Sequence, residues 1–405
     1  MAGSIVKKRT DKAIAITSTA AVAVIPTVLL VVLKTGNGAA LGLPQSVGQG
    51  TSQSPAAQSS PAHSKKAKAK KSTSILPTYS YNPSTTNNNS TTTTTKKPTA
   101  KPKKVGKYFL ADDGAQVTKV TSLGAREFDV SVKTPALGTT AKVRMLVPKN
   151  WTAKSTKTWP VLYALHGGRD NYTSWTRGTD IEQVAAPWNV IVVMPEGASG
   201  GYTDWYNHGQ GGTPKWETWH IREVQQIAER NFHAGTSRAV MGMSSGGQGS
   251  ITYASRHPGM FKWASSFSGA LDLLAPGVPS LLLYTAAGST DDPARVWGDP
   301  IINRSNWAAH DPTTLIKNLR GTKIYISCGD GKGGPSDAGH QDIRYLSEQL
   351  INYDDHFFTD KAAALGITMT VNYYSPGTHS WAYWVTQMHN TWPSMMATIG
   401  ATKTS

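Results

Sequence analysis

From residue 105 onward, short runs rich in β-branched residues alternate with longer stretches of helical periodicity, and this order restricts the chain more than any other feature. Runs at 127–132, 142–147, 161–165, 190–194, 238–241, 263–267, 323–327 and 368–374 predict strands. Helical patterns separate the later ones. Val224, Ile227 and Ala228 mark a helix before the run at 238, and Ile343, Leu346, Leu350, Tyr353 and Phe357 share one face of a helix starting near Gln341. Strands that follow one another directly, and then strand and helix in alternation, predict one mostly parallel sheet covered by helices on both faces. Functional groups in such sheets gather at the C-terminal ends of strands.

The first quarter of the chain has a different chemistry. Residues 1–104 hold 15 Lys or Arg against one acid, Asp11, so they carry +14 of the formal net charge of +16. The remaining 301 residues are almost neutral, and a nucleic-acid-binding globule is not expected. Lys7, Lys8, Arg9 and Lys12 precede an apolar stretch at 13–33, the polarity of an export signal. Its length of about 21 residues favours a retained anchor over a cleaved signal, although Gly38, Ala39 and Ala40 offer small residues for cleavage. Residues 35–104 are Ser, Thr, Pro, Asn and Lys with little to bury, the composition of a disordered tether. The expected organisation is a signal or anchor segment at 1–34, a linker at 35–104 and one catalytic domain at 105–405, extracytoplasmic in the cell envelope. The single cysteine, Cys328, excludes an internal disulfide and a thiolate metal site.

Gly242-Met243-Ser244-Ser245-Gly246 fits G-x-S-x-G, follows the strand at 238–241 and opens a helix expected to run to Arg256. That is the strand, sharp turn and helix of a nucleophile elbow, with Ser244 as nucleophile and the Ser245 N–H facing a developing oxyanion. A second oxyanion donor is expected in the Gly-rich loop His166-Gly167-Gly168-Arg169 that ends the strand at 161–165; Gly168 is the candidate. The base must be a late histidine at a strand end, which selects His379 in Ser375-Pro376-Gly377-Thr378-His379-Ser380-Trp381. Asp330, Asp337 and Asp342 lie in or near the loop after the strand at 323–327, and Asp337 is favoured as the orienting acid. The same loop spells G-x-G-x-x-G at Gly329–Gly334, but Pro335 and a delayed helix leave no helix N-terminus for a pyrophosphate. No metal-binding motif is found, and neither a metal nor a cofactor is expected.

These residues resemble the antigen 85 family of secreted mycolyltransferases, within the esterase-D-type group of α/β-hydrolases. The resemblance covers about 120–398 and includes Thr203-Asp204-Trp205-Tyr206, Lys215-Trp216-Glu217-Thr218, Val296-Trp297-Gly298, His310-Asp311-Pro312-Thr313, Cys328-Gly329-Asp330-Gly331 and Gly377-Thr378-His379-Ser380-Trp381-Ala382-Tyr383-Trp384. It implies an α/β-hydrolase fold, with Ser244 as nucleophile, His379 as base, Asp337 at the position of the family's glutamate, and Gly168 with Ser245 as oxyanion hole. Arg169 and Trp381 match positions that line the family's trehalose site, and Cys328 matches a cysteine near the site. His166 stands where the family has an Asp that helps hold trehalose. The implied activity is transfer of a long, mycolyl-like acyl chain from an acyl-ester donor to trehalose, another envelope sugar or a lipid acceptor. Ester hydrolysis by the same triad is the alternative, and a catalytically idle wall-binding protein the third reading.

Overall fold

The structure, a computed structural model, describes residues 102–337 and 343–404. The expected export segment and nearly all of the expected linker lie outside the described residues, as do Asp342 and Gln341. Among the described residues no helix is long and apolar enough to cross a membrane.

A hairpin of β1 (Lys104–Val105) and β2 (Tyr108–Phe109) precedes a nine-stranded sheet. The sheet holds β3 (Gln116–Ser122), β4 (Glu127–Thr134), β5 (Thr139–Leu146), β6 (Trp159–Leu165), β7 (Ile191–Pro195), β8 (Ala234–Met243), β9 (Trp263–Phe267), β10 (Lys323–Gly329) and β11 (Thr370–Tyr374). Their spatial order is β11-β10-β9-β8-β6-β7-β5-β4-β3. The first three pair antiparallel as a meander, β5 pairs antiparallel with β7, and all further pairs are parallel. This is the mostly parallel sheet that the order of elements predicts. β3 carries the alternating exposed pattern of an edge strand, and its Thr- and Lys-containing QVTKVTS has too few apolar residues to stand out in the sequence.

The helices that matter for the site are α1 (Gln225–Phe232), α2 (Ser245–Arg256), α3 (Val278–Ala286), α4 (Ile343–Ala364) and α5 (Trp381–Ile399). Alternate side chains of the central strands feed two cores. Val161, Tyr163, Val193, Val240 and Ile326 pack with Ile227, Phe232, Ile251 and Phe358 on one face. On the other, Leu162, Ala164, Val192, Met241 and Phe267 pack with Trp175, Trp384, Met388, Trp392 and Met396. Burial on both faces explains why these strands are largely apolar. With both faces covered, functional groups are expected at the C-terminal edge of the sheet.

Candidate active site

β8 ends in a turn that only this spacing of small residues allows. Ser244 has φ +54° and ψ −125°, a conformation that strains an L-residue. It is held by two backbone bonds, Ser244 N–H to Phe267 O (2.9 Å) and Gln248 N–H to Ser244 O (3.0 Å). A Cβ at Gly242 would lie 2.1 Å from Gly246 O, and one at Gly246 would lie 2.3 Å from Leu165 O. Both glycines are therefore demanded by close backbone approach, and the serine hydroxyl is left at the edge of the sheet.

His379 follows β11 and comes to this hydroxyl, with Nε2 2.8 Å from Ser244 Oγ. Its ring packs edge-on to Trp384 at 4.9 Å. Its Nδ1 lies 2.7 Å from Oε2 of Glu348, on the second turn of α4. Glu348 is fully buried, and its Oε1 accepts from the Gly329 N–H and the Ser268 hydroxyl, each at 2.7 Å, with the Cys328 thiol 3.3 Å away. Donors thus converge on both carboxylate oxygens and fix the imidazole in one orientation. The bond to Glu348 places the proton on Nδ1 and leaves Nε2 free to accept from serine. Burial, reinforced by the Glu348 carboxylate, pushes the Cys328 thiol well above its ordinary pKa, so this cysteine stays protonated.

The acid expected at Asp337 is corrected by this geometry. Asp337, 3% exposed, accepts from the Thr378 hydroxyl at 2.5 Å, the Tyr383 hydroxyl at 2.7 Å and the Gly334 N–H at 3.1 Å. It ties the loop after β10 to the residues flanking His379 without touching the imidazole. Asp330 closes a local turn with Lys332. Sequence reasoning does not single out Glu348, because it sits inside a helix rather than in the loop. The available signal is an acid on the buried stripe Glu348, Ile351, Asp355, Phe358 and Ala362, at spacings of three and four.

Ser244, Ser245, His379, Gly168 and Arg169 meet around a cavity of about 280 Å³ walled on one side by Ala270, Leu281, Leu282 and Ile351. The loop after β6 reaches the elbow closely enough that a Cβ on Gly168 would be 3.1 Å from Ser245 Oγ. Ser245 opens α2, where the first N–H groups have no acceptor within the helix. Arg169 lays its guanidinium over the Tyr284 ring, 4.9 Å from the centroid. Two residues expected to bind substrate are not among the cavity-lining ones. Trp381 packs edge-on against Trp175 (5.7 Å) and Trp384 (5.5 Å). His166 is 1% exposed beneath the loop; its ring nitrogens bond to backbone, and the Glu196 carboxylate lies 3.6 Å from its Nε2. Among the described residues no group of three or more His, Cys, Asp or Glu is placed to hold a metal ion.

The model of the esterase family matches residues 134–395, the span from the end of β4 to the last turns of α5. The chain belongs to the esterase family. Within it the relatives are of the antigen 85 type. Diacylglycerol acyltransferase/mycolyltransferase Ag85A of Mycobacterium leprae is 34% identical over 297 residues, covering 67% of this chain and 83% of that protein. Ag85B of Mycolicibacterium smegmatis is 29% identical over 250 residues, covering 59% and 77%. Among solved structures, MPT51 of Mycobacterium tuberculosis superposes with a TM-score of 0.56 at 20% identity, over 70% of this chain and 98% of that one. An S-formylglutathione hydrolase from Agrobacterium tumefaciens reaches 0.56 at 17% identity, over 70% and 100%. These likenesses establish the α/β-hydrolase fold that the sequence resemblance implies.

Proposed function

We propose that this esterase-family enzyme is a serine acyltransferase that moves a long, mycolyl-like acyl chain from an ester donor to trehalose or another envelope sugar or lipid. The relay Ser244–His379–Glu348, with both bonds under 3 Å at the mouth of a half-apolar cavity, carries the reading. Ser244 Oγ attacks the donor carbonyl as His379 Nε2 takes its proton, and Glu348 stabilises the imidazolium. The Gly168 and Ser245 N–H groups receive the oxyanion. Collapse of the tetrahedral intermediate expels the donor alcohol, which takes the proton from His379. An acceptor hydroxyl then gives its proton to His379 and attacks the acyl-enzyme, and collapse of the second intermediate expels Ser244 Oγ, which recovers the proton from His379, so the ester count is unchanged.

Transfer is favoured over hydrolysis by the names of the relatives, several of them called diacylglycerol acyltransferase/mycolyltransferase. Leu281, Leu282 and Ile351 suit an acyl chain, and Arg169 at the rim suits a polar acceptor. Water competes at about 55 M, so transfer requires a positioned acceptor of higher effective molarity. Product partitioning by mass spectrometry tests this. With a trehalose monoester, added trehalose should raise transfer over hydrolysis, and Arg169→Ala should lower transfer more than hydrolysis. A ratio insensitive to sugars in the wild type would make the enzyme a carboxylesterase.

The basic, apolar start and the Lys-rich stretch of residues 1–104 support export and retention at the envelope. Fractionation of full-length protein and protein lacking 1–34 should find the first with membranes and the second in the cytoplasm. Full-length protein in the culture medium would favour cleavage.

A further inference from the structure

We propose that His166 is the positioning residue of the oxyanion hole, its ring bracing the peptide that presents the Gly168 N–H. The inference rests on the reading of Gly168 as an oxyanion donor. Two contacts fix the tautomer of His166. The Gly197 N–H lies 2.8 Å from Nε2 and can only donate, so Nε2 is unprotonated. Nδ1 therefore carries the proton and donates to Gly167 O at 2.7 Å, an oxygen that can only accept. The ring spans two backbone groups from different loops at 1% exposure, and the Glu196 carboxylate, 3.6 Å from Nε2, is too distant to replace the Gly197 N–H as its hydrogen-bond partner.

The braced carbonyl belongs to the same peptide unit as the Gly168 N–H. That peptide is trans, so its C=O and N–H point in opposite directions. Holding the oxygen toward the buried ring turns the N–H away from it, and Gly168 lines the cavity beside Ser244. The preceding carbonyls are held in the same manner. Trp175 Nε1–H donates to Leu165 O at 3.1 Å, and the Tyr202 hydroxyl donates to His166 O at 2.6 Å. On the far side the Arg169 N–H donates to Ser199 Oγ at 2.8 Å. Glycine at 167 and 168 leaves this segment without side chains to hold it, and a two-glycine peptide free to rotate would lose the aim of its N–H. Electrostatic stabilisation of an oxyanion depends on donors oriented before the charge appears, which is what the ring supplies.

Carbonyl spectroscopy of the acyl-enzyme, combined with kinetics, tests the proposal. A slowly deacylating ester with a ¹³C-labelled carbonyl should give a wild-type acyl-enzyme whose C=O stretch is lowered by hydrogen bonding. In His166→Ala the band should move back toward that of a singly bonded ester. Its kcat on a chromogenic ester should fall by about 10²–10³, the loss typical of one oxyanion donor, with KM changed less than threefold. His166→Asn can still donate to Gly167 O from its amide and should recover at least about tenfold of kcat. His166→Gln, whose amide reaches the Nε2 position instead, should not. If His166→Ala does not fold, the Asn and Gln variants decide, and equal losses in both would overturn the proposal. So would a band unmoved in His166→Ala. A wild-type band not lowered at all would instead overturn the oxyanion-hole reading on which the proposal rests.

Discussion

The loop after β10 and the helix that follows it each bury a carboxylate beside the segment that carries His379, yet only one reaches the imidazole. Asp337, in the loop, accepts from Thr378, Tyr383 and Gly334 and secures the strand end from which His379 projects. Glu348, on α4, accepts from His379 itself as well as from Gly329 and Ser268. Burial and a place in the loop after the strand do not assign the orienting acid; the direction of the side chain does. A helix anchored along the sheet by Ile351, Phe358 and Ala362 fixes that direction more rigidly than a turn can.

Nucleophile replacement is the largest perturbation and sets the scale for that comparison. Ser244→Ala should lower turnover of a chromogenic ester by about 10⁶ and abolish labelling by an organophosphonate. Persistent labelling would place the nucleophile elsewhere. Glu348→Gln should cost about 10²–10⁴ in kcat at unchanged fold, because an amide cannot stabilise the imidazolium. Asp337→Asn should cost less than about tenfold. The contrast breaks if the two losses are reversed in steady-state assays of both variants.

Stability should order the same carboxylates differently. The Asp337 carboxyl is held below its ordinary pKa: burial opposes this, but the hydroxyls of Thr378 and Tyr383 outweigh it. A lowered folded-state value means that its contribution is present above the unfolded value, near 3.8, and is lost as pH falls through the folded one. Asp337→Asn should therefore lose about 2 kcal/mol in urea unfolding at pH 7, and the difference should vanish at low pH.

Asp355, seven residues beyond Glu348 on α4, is fully buried, and among the described residues neither of its oxygens has a hydrogen-bond partner. Burial, together with the Asp354 and Glu348 carboxyls, drives its pKa well above the ordinary value. Here the sign reverses: the fold binds the proton more tightly, so stability declines as pH rises from the unfolded value toward the folded one. Asp355→Asn should be more stable than the wild type by about 1 kcal/mol at pH 8, with the gap closing near pH 4. A variant less stable at both pH values would show that the carboxyl has a partner.

Much of this is legible in the sequence. Largely apolar runs mark β6, β7, β8 and β10, because burial on both faces favours apolar residues, while β9 is marked by Trp263 and Phe267 around two buried serines. Gly242 and Gly246 mark the elbow, since a Cβ on either would lie within 3 Å of neighbouring backbone. α4 was legible as a helix but rotated. Leu350 is buried as its spacing predicts, yet Phe357 is 41% exposed while Glu348 and Asp355 face inward. A hydrophobic stripe is read by counting apolar residues, so a stripe containing two acids is misplaced around the helix axis.

The sequence by itself determined the order of strands and helices, the strained turn at Ser244 and the late histidine of a strand end. Each depends on residues adjacent in the chain. Which carboxylate meets His379, and that His166 lies under the loop rather than in the cavity, was decided only by tertiary structure. Both depend on the rotation of a side chain about its element and on partners far away in sequence. His379 lies 135 residues from Ser244, and Gly197 lies 31 from His166. Packing of whole helices and loops against the sheet sets those distances, and no local pattern records them.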